Sequence, residues 1–258
     1  MPYSPCPVRT PFVFFKCMDE EGYTVALDNK RARFTSEQEQ LFEVGVFLFL
    51  VIPSMILSFF AEQEQDIDFL ITALAIMVRD LALLSLILFF LWRNAEPLSS
   101  IGWKKENMGR EILVGIALFP LFFVLLGIIG SVLQGIGFNM PETPRPTFLT
   151  AGSMWQLMVA FVLVTVVAVV EETIFRGYLI LRFLHITKSG TWSILVSAVI
   201  FSLGHGYEGS AGVGTVGIMG IVFAAVYLWR RSLVAPMVIH FLQNFIGIVL
   251  APLLGLIR

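Results

Sequence analysis

The stretch "WQLMVAFVLVTVVAVVEETIFRGYLILRFL", residues 155–184, is apolar for far longer than a buried core helix needs, and it carries two adjacent glutamates in its middle. A helix crosses the hydrocarbon layer of a bilayer in about 20 residues at a rise of about 1.5 Å each. The stretch therefore predicts a membrane-spanning helix, too long for one bilayer thickness, with Glu171 and Glu172 at a depth where ionisable groups are costly.

Composition extends this reading to the whole chain. Of its 258 residues 57% are hydrophobic and only 14% charged, 24 are phenylalanine, and the mean hydropathy is +0.84. These values exceed those of ordinary soluble domains and indicate an integral membrane protein. The formal net charge of −2 gives no electrostatic footprint for nucleic acid. Cys6 and Cys17 lack metal-ligand spacing and read as free thiols. The N-terminal residues carry no cleavable signal pattern, so the first apolar stretch is expected to remain in the protein.

Seven apolar stretches are predicted to be spans, at about 42–60, 69–92, 111–134, 155–184, 190–206, 213–229 and 233–256. The fold class expected is thus all-α, a polytopic transmembrane bundle of about seven spans (six to eight). Three regions follow: a polar segment over 1–40, N-terminal transmembrane helices over 41–154, and a transmembrane core over 155–257. Lysine and arginine cluster in the N-terminal segment and in alternate loops, with Lys104, Lys105 and Arg110 in the second, Lys188 in the fourth and Arg230 with Arg231 in the sixth. Cytoplasmic loops collect such charge, so the N-terminus is expected inside. The segment before the first span reads as a flexible tail.

Polar groups within the spans are few enough to examine one by one. They are Arg79 with Asp80, then Glu171, Glu172 and Arg176, His205 at the end of the fifth span, and His240 with Asn244 in the seventh. Glu171 and His205 lie about equally far from the turn near residue 187, which predicts a common depth. His240 and Asn244 are four residues apart and share a helix face, within reach of that depth. Glu172 and Arg176 are likewise four apart, acid first, the favourable order for an intrahelical ion pair. Glu171, about 100° around the helix, has no same-helix partner and becomes the candidate general base. His185, near the turn, is expected to pack without a chemical role, and Arg79 with Asp80 to serve the bundle. The glycines from Gly204 to Gly220 suggest close helix packing.

The motifs "EETIFR", "FSLGH" and "HFLQN" have the forms E-E-x-x-x-R, F-x-x-x-H and H-x-x-x-N, in that order on successive apolar stretches. Together they resemble the CAAX-protease and bacteriocin-processing family of intramembrane glutamate peptidases, which includes type II CAAX prenyl endopeptidases. The resemblance covers about residues 155–250. It implies an endopeptidase in which Glu171 and His205 activate a water, His240 and Asn244 stabilise the oxyanion, and Glu172 and Arg176 support them, with no cofactor. The implied partners are the lipid bilayer and a peptide or protein substrate, which in the family can be lipidated at its C-terminus; the implied location is the cell membrane of a prokaryote. Two alternatives stand beside it: a zinc peptidase with Glu171, His205 and His240 as ligands, which lacks an H-E-x-x-H helix, and a non-enzymatic immunity or scaffold protein.

Overall fold

A computed structural model describes residues 37–58, 68–139 and 153–254. Seven principal helices run through them: α1 (Glu37–Ser58), α2 (Phe69–Arg93), α3 (Met108–Gly135), α4 (Met154–Thr187), α5 (Gly190–Leu203), α6 (Gly209–Arg230) and α7 (Val234–Leu253). Six helical stretches are long and apolar enough to cross a membrane, and α5 is a shorter apolar helix. The protein is a polytopic helical bundle. The expected tail over residues 1–40, with Cys6 and Cys17, falls almost wholly outside the described residues.

Boundaries follow local chemistry. Asp68 caps α2, its carboxylate accepting from the amides of Leu70 and Ile71, and Ser153 and Ser189 cap α4 and α5 in the same way. Such caps satisfy amides that a helix start leaves without partners. Between α4 and α5 the chain turns through Lys188 in the left-handed region. One expectation changes: the sixth span, expected from about residue 213, begins at Gly209 after a 3-10 turn over Gly206–Glu208. Gly209 and Gly212 thus lie in the first turn of this helix.

The fourth span is a single 34-residue helix, Met154–Thr187, but not a regular one. Its middle, Thr173–Leu179, winds as a π-helix that begins directly after Glu172. A wider turn shifts the backbone hydrogen-bond register, and a neighbouring helix compensates: Ser197 Oγ on α5 donates to the carbonyl of Phe175 at 2.7 Å. Space is tight here. A Cβ on Gly177 would come within 2.8 Å of the Ile101 carbonyl oxygen, so this helix can approach the short turn Leu98–Ile101 only with glycine at that position. A second π-helical segment, Phe245–Leu250, begins directly after Asn244 in α7.

Helix α4 packs on α2 and α7, α7 also packs on α3, and α5 packs on α6. Gly115 allows the α3–α7 approach, where an added Cβ would stand 2.8 Å from the Ala235 carbonyl oxygen. The glycines singled out in the sequence contribute in part: Gly220 meets Ala198 of α5 closely, whereas Gly217 has ordinary room. At the far end of α4, Glu43 is fully buried and receives hydrogen bonds from Arg93, Asn94 (2.8 Å) and Tyr178 (3.2 Å), and Arg182 pairs with it and with Glu96. This ion cluster ties α1 and α2 to the C-terminal half of α4.

Candidate active site

Helices α4 and α7 meet through their polar residues. Glu172 is completely buried, and its Oε1 is shared: Arg176 Nη1 donates to it from 3.0 Å, and His240 Nδ1 lies 2.9 Å away. A carboxylate only accepts, so the Nδ1 proton is fixed on the side of Glu172. The other ring nitrogen, Nε2, then faces Glu171, whose Oε2 is 3.8 Å distant. The two glutamates thus divide as their helical spacing predicts: Glu172 pairs with Arg176, and Glu171 turns elsewhere. The partnership of Glu172 with His240 across helices was not legible in the sequence.

Arg176 is 1% exposed and is held on three sides. Besides Glu172, its guanidinium lies over the ring of Phe201 at 4.2 Å and over Phe223 at 4.9 Å. Cation–π contacts of this kind are strongest where water is excluded. Phe223 also flanks the His240 ring, at 5.5 Å between centroids, with Phe201 edge-on to it at 6.2 Å. The imidazole is therefore clamped by two aromatic rings and one carboxylate.

His205 lies just past the end of α5. Its Nδ1 is 3.1 Å from the Phe201 carbonyl oxygen, and its ring packs 4.9 Å from the Phe201 ring. Among the described residues no hydrogen bond joins His205 to Glu171; the two histidines instead flank Phe201. Asn244 is partly buried one turn beyond His240, at the start of the second π segment. Glu171 Oε2 is buried and has no hydrogen-bond partner among the described residues.

Arg79 and Asp80, expected to serve the bundle, stand beside this cluster. Arg79 donates to Asp80 Oδ1 from Nε at 3.0 Å and from Nη2 at 2.8 Å. Asp80 is 1% exposed and sits on α2, which packs against α4, the helix that carries Glu171. His185, by contrast, meets Gln40 at 3.3 Å away from the site, in line with a packing role. Among the described residues no three His, Cys, Asp or Glu side chains converge as a metal site.

Residues 153–246, which include every member of the Glu171, Glu172, Arg176, His205, His240 and Asn244 set, match the family model described as Rce1-like, type II CAAX prenyl endopeptidase Rce1-like. Over this segment the chain is similar to the Rce1-like family. At the family level the similarity is to a CAAX-type membrane protease, and the segment is set in a multi-pass helical membrane protein. No curated protein matches the chain, and no solved structure does. The Rce1-like segment covers α4 to the middle of α7, while α1, α2 and α3 lie before it and supply Glu43, Arg79 and Asp80.

Proposed function

We propose that the protein is an intramembrane endopeptidase that hydrolyses a peptide bond with a water activated by Glu171 and His205. The observation that carries this is the carboxylate oxygen of Glu171 that has no hydrogen-bond partner among the described residues, buried at the junction of α4 and α7 beside a histidine whose far nitrogen is locked to Glu172. A buried acceptor of this kind calls for a donor, and a water held between Glu171 and His205 meets the need. In the reaction Glu171 takes a proton from that water as its oxygen attacks the carbonyl carbon. The carbon–nitrogen bond then breaks, and the same proton passes to the departing amine. In its imidazolium form His240 donates at both nitrogens, to Glu172 through Nδ1 and to the developing oxyanion through Nε2, with the Asn244 amide as a second donor. Arg176 and Glu172 position His240 and do not touch substrate.

The substrate class follows from the setting. A site between membrane helices admits a peptide that itself partitions into the bilayer, and a lipid on the C-terminal cysteine of a CAAX-type sequence would deliver it there. The cell membrane of a prokaryote is the proposed location. The test is cleavage of an S-prenylated peptide by purified protein in detergent, wild type against Glu171→Gln. Activity should fall by about 10²- to 10⁴-fold, the scale of general base catalysis. Full activity in the variant would overturn the mechanism.

A further inference from the structure

Arg79 is the eleventh residue of the 25-residue helix α2. At about 1.5 Å per residue it lies roughly 15 Å from one end of the helix and 21 Å from the other, too deep for the snorkelling that relieves charges near helix ends. Its side chain is nonetheless 45% exposed. An arginine at mid-span that only neutralised Asp80 would be expected inside the bundle, since a half-exposed guanidinium at that depth is costly. Its donors are also not used up: Nε and one terminal nitrogen both go to the same Asp80 oxygen, leaving part of the five-donor fork for another acceptor. Asp80 itself is buried, and its Oδ2 has no hydrogen-bond partner among the described residues. Together they form a guanidinium whose orientation is fixed from behind.

The direction in which it is fixed matters. Helix α2 packs on α4: Phe69, Ala73 and Met77 cluster with Leu163, Val164 and Val167, and Leu84 and Ile87 with Val170 and Ile174, so Arg79 and Asp80, between these contacts, fall at the level of Glu171. A cation therefore lies at the level of Glu171, on a helix packed against α4 and outside the matched segment. Along α2 it continues the half-buried edge formed by Thr72, Ile76 and Leu83, beside the fully buried face of Phe69, Ala73, Asp80 and Ile87. A peptide bound across the site along this edge would meet one fixed positive charge.

The geometry points to Arg79, held by Asp80, as the anchor for the terminal carboxylate of a peptide substrate cleaved near its C-terminus. It rests on the peptidase reading above. Arginine suits the task, since its planar fork binds a carboxylate through two parallel hydrogen bonds. The carboxylate would have shed its water on entering the bilayer, and a fixed cation offsets that loss. Such an anchor also measures length, because it sets how many residues lie between the free C-terminus and the bond presented to Glu171.

The test compares one S-prenylated peptide with three residues after the cysteine, as the free acid and as the C-terminal amide. Wild type should favour the acid in kcat/KM by about 10- to 100-fold, the scale of a charge-assisted hydrogen bond. In Arg79→Gln the ratio of acid to amide should fall towards one, and in Arg79→Lys, which keeps the charge, much of the preference should survive. Monodispersity and thermal unfolding in detergent identify a misfolded variant, and if Arg79→Gln is one, Arg79→Met, which also removes the charge, carries the comparison. The anchor is overturned if wild type treats the two peptides alike, or if a folded Arg79→Gln keeps the full wild-type ratio. Unchanged cleavage by Glu171→Gln would instead strike the peptidase reading, so the two failures are separate.

Discussion

Glu172 Oε1 and His240 Nδ1 lie 2.9 Å apart across the α4–α7 interface, both completely or almost completely buried. Histidines in catalytic sites are commonly oriented by a carboxylate that does not itself exchange protons with substrate, and removing such a group lowers turnover by orders of magnitude. Glu172→Gln should keep the volume and one acceptor but lose the charge that fixes the ring. We expect cleavage to fall by about 100-fold or more, with helix content unchanged by circular dichroism; wild-type turnover would show that His240 needs no orienting carboxylate.

Arg176 tests the same ion network from its other side. Its removal strands a fully buried carboxylate, and breaking one partner of a buried pair typically costs about 3–5 kcal/mol, whereas replacing both often costs little. Arg176→Met should therefore lower the thermal unfolding temperature in detergent markedly, and Glu172→Gln with Arg176→Met should recover most of that loss. Cleavage should stay low in both. A double variant no more stable than Arg176→Met would mean that the aromatic contacts of Arg176 with Phe201 and Phe223, rather than its ion pair, hold this region.

What could be read from the sequence divides along physical lines. The spans were legible because burial in lipid imposes a long apolar run, and the division between Glu171 and Glu172 was legible because an i,i+4 spacing is local. The depth arithmetic also held for His240, which meets Glu171 and Glu172. Contacts between distant helices were not legible: the Glu172–His240 bond spans 68 residues and the Glu43–Tyr178 bond 135, and no periodicity encodes them. Arg79 and Asp80 were assigned to the bundle because adjacent residues point about 100° apart on a helix. In the structure the long arginine side chain folds back and closes that angle. The π-helical segments were equally hidden, since residue types do not distinguish a π turn from an α turn inside an apolar run.

The buried cluster around Glu43 should matter for assembly of the helices that precede the Rce1-like segment. Glu43 is fully buried and is contacted by Arg93, Asn94, Tyr178 and Arg182. Glu43→Ala leaves Arg182, itself 1% exposed, with only Glu96 as a carboxylate partner. A loss of about 3–5 kcal/mol follows from the usual effect of breaking a buried pair. The thermal unfolding temperature of the detergent-solubilised protein should then fall well below that of wild type; an unchanged temperature would assign the cluster a minor role.

The π segment offers a paired glycine test. Gly177 lies 2.8 Å from the Ile101 carbonyl oxygen at its notional Cβ and 3.3 Å from a methyl of Leu233, so Gly177→Ala forces either α4 or the Leu98–Ile101 turn to move. Overpacking of this kind costs about 1–3 kcal/mol, and the displaced turn is tied to the site through Trp103, two residues past Ile101, whose Nε1 donates to Oγ1 of Thr173, the residue after Glu172, at 3.1 Å. Gly127 in α3 is the control, because a Cβ there meets nothing within 4 Å and alanine favours a helix interior over glycine by about 1 kcal/mol. We expect Gly177→Ala to unfold at lower temperature than wild type and Gly127→Ala at an equal or higher one. Equal effects at the two sites would mean that the close approach of α4 to the Ile101 turn is not a constraint on the fold.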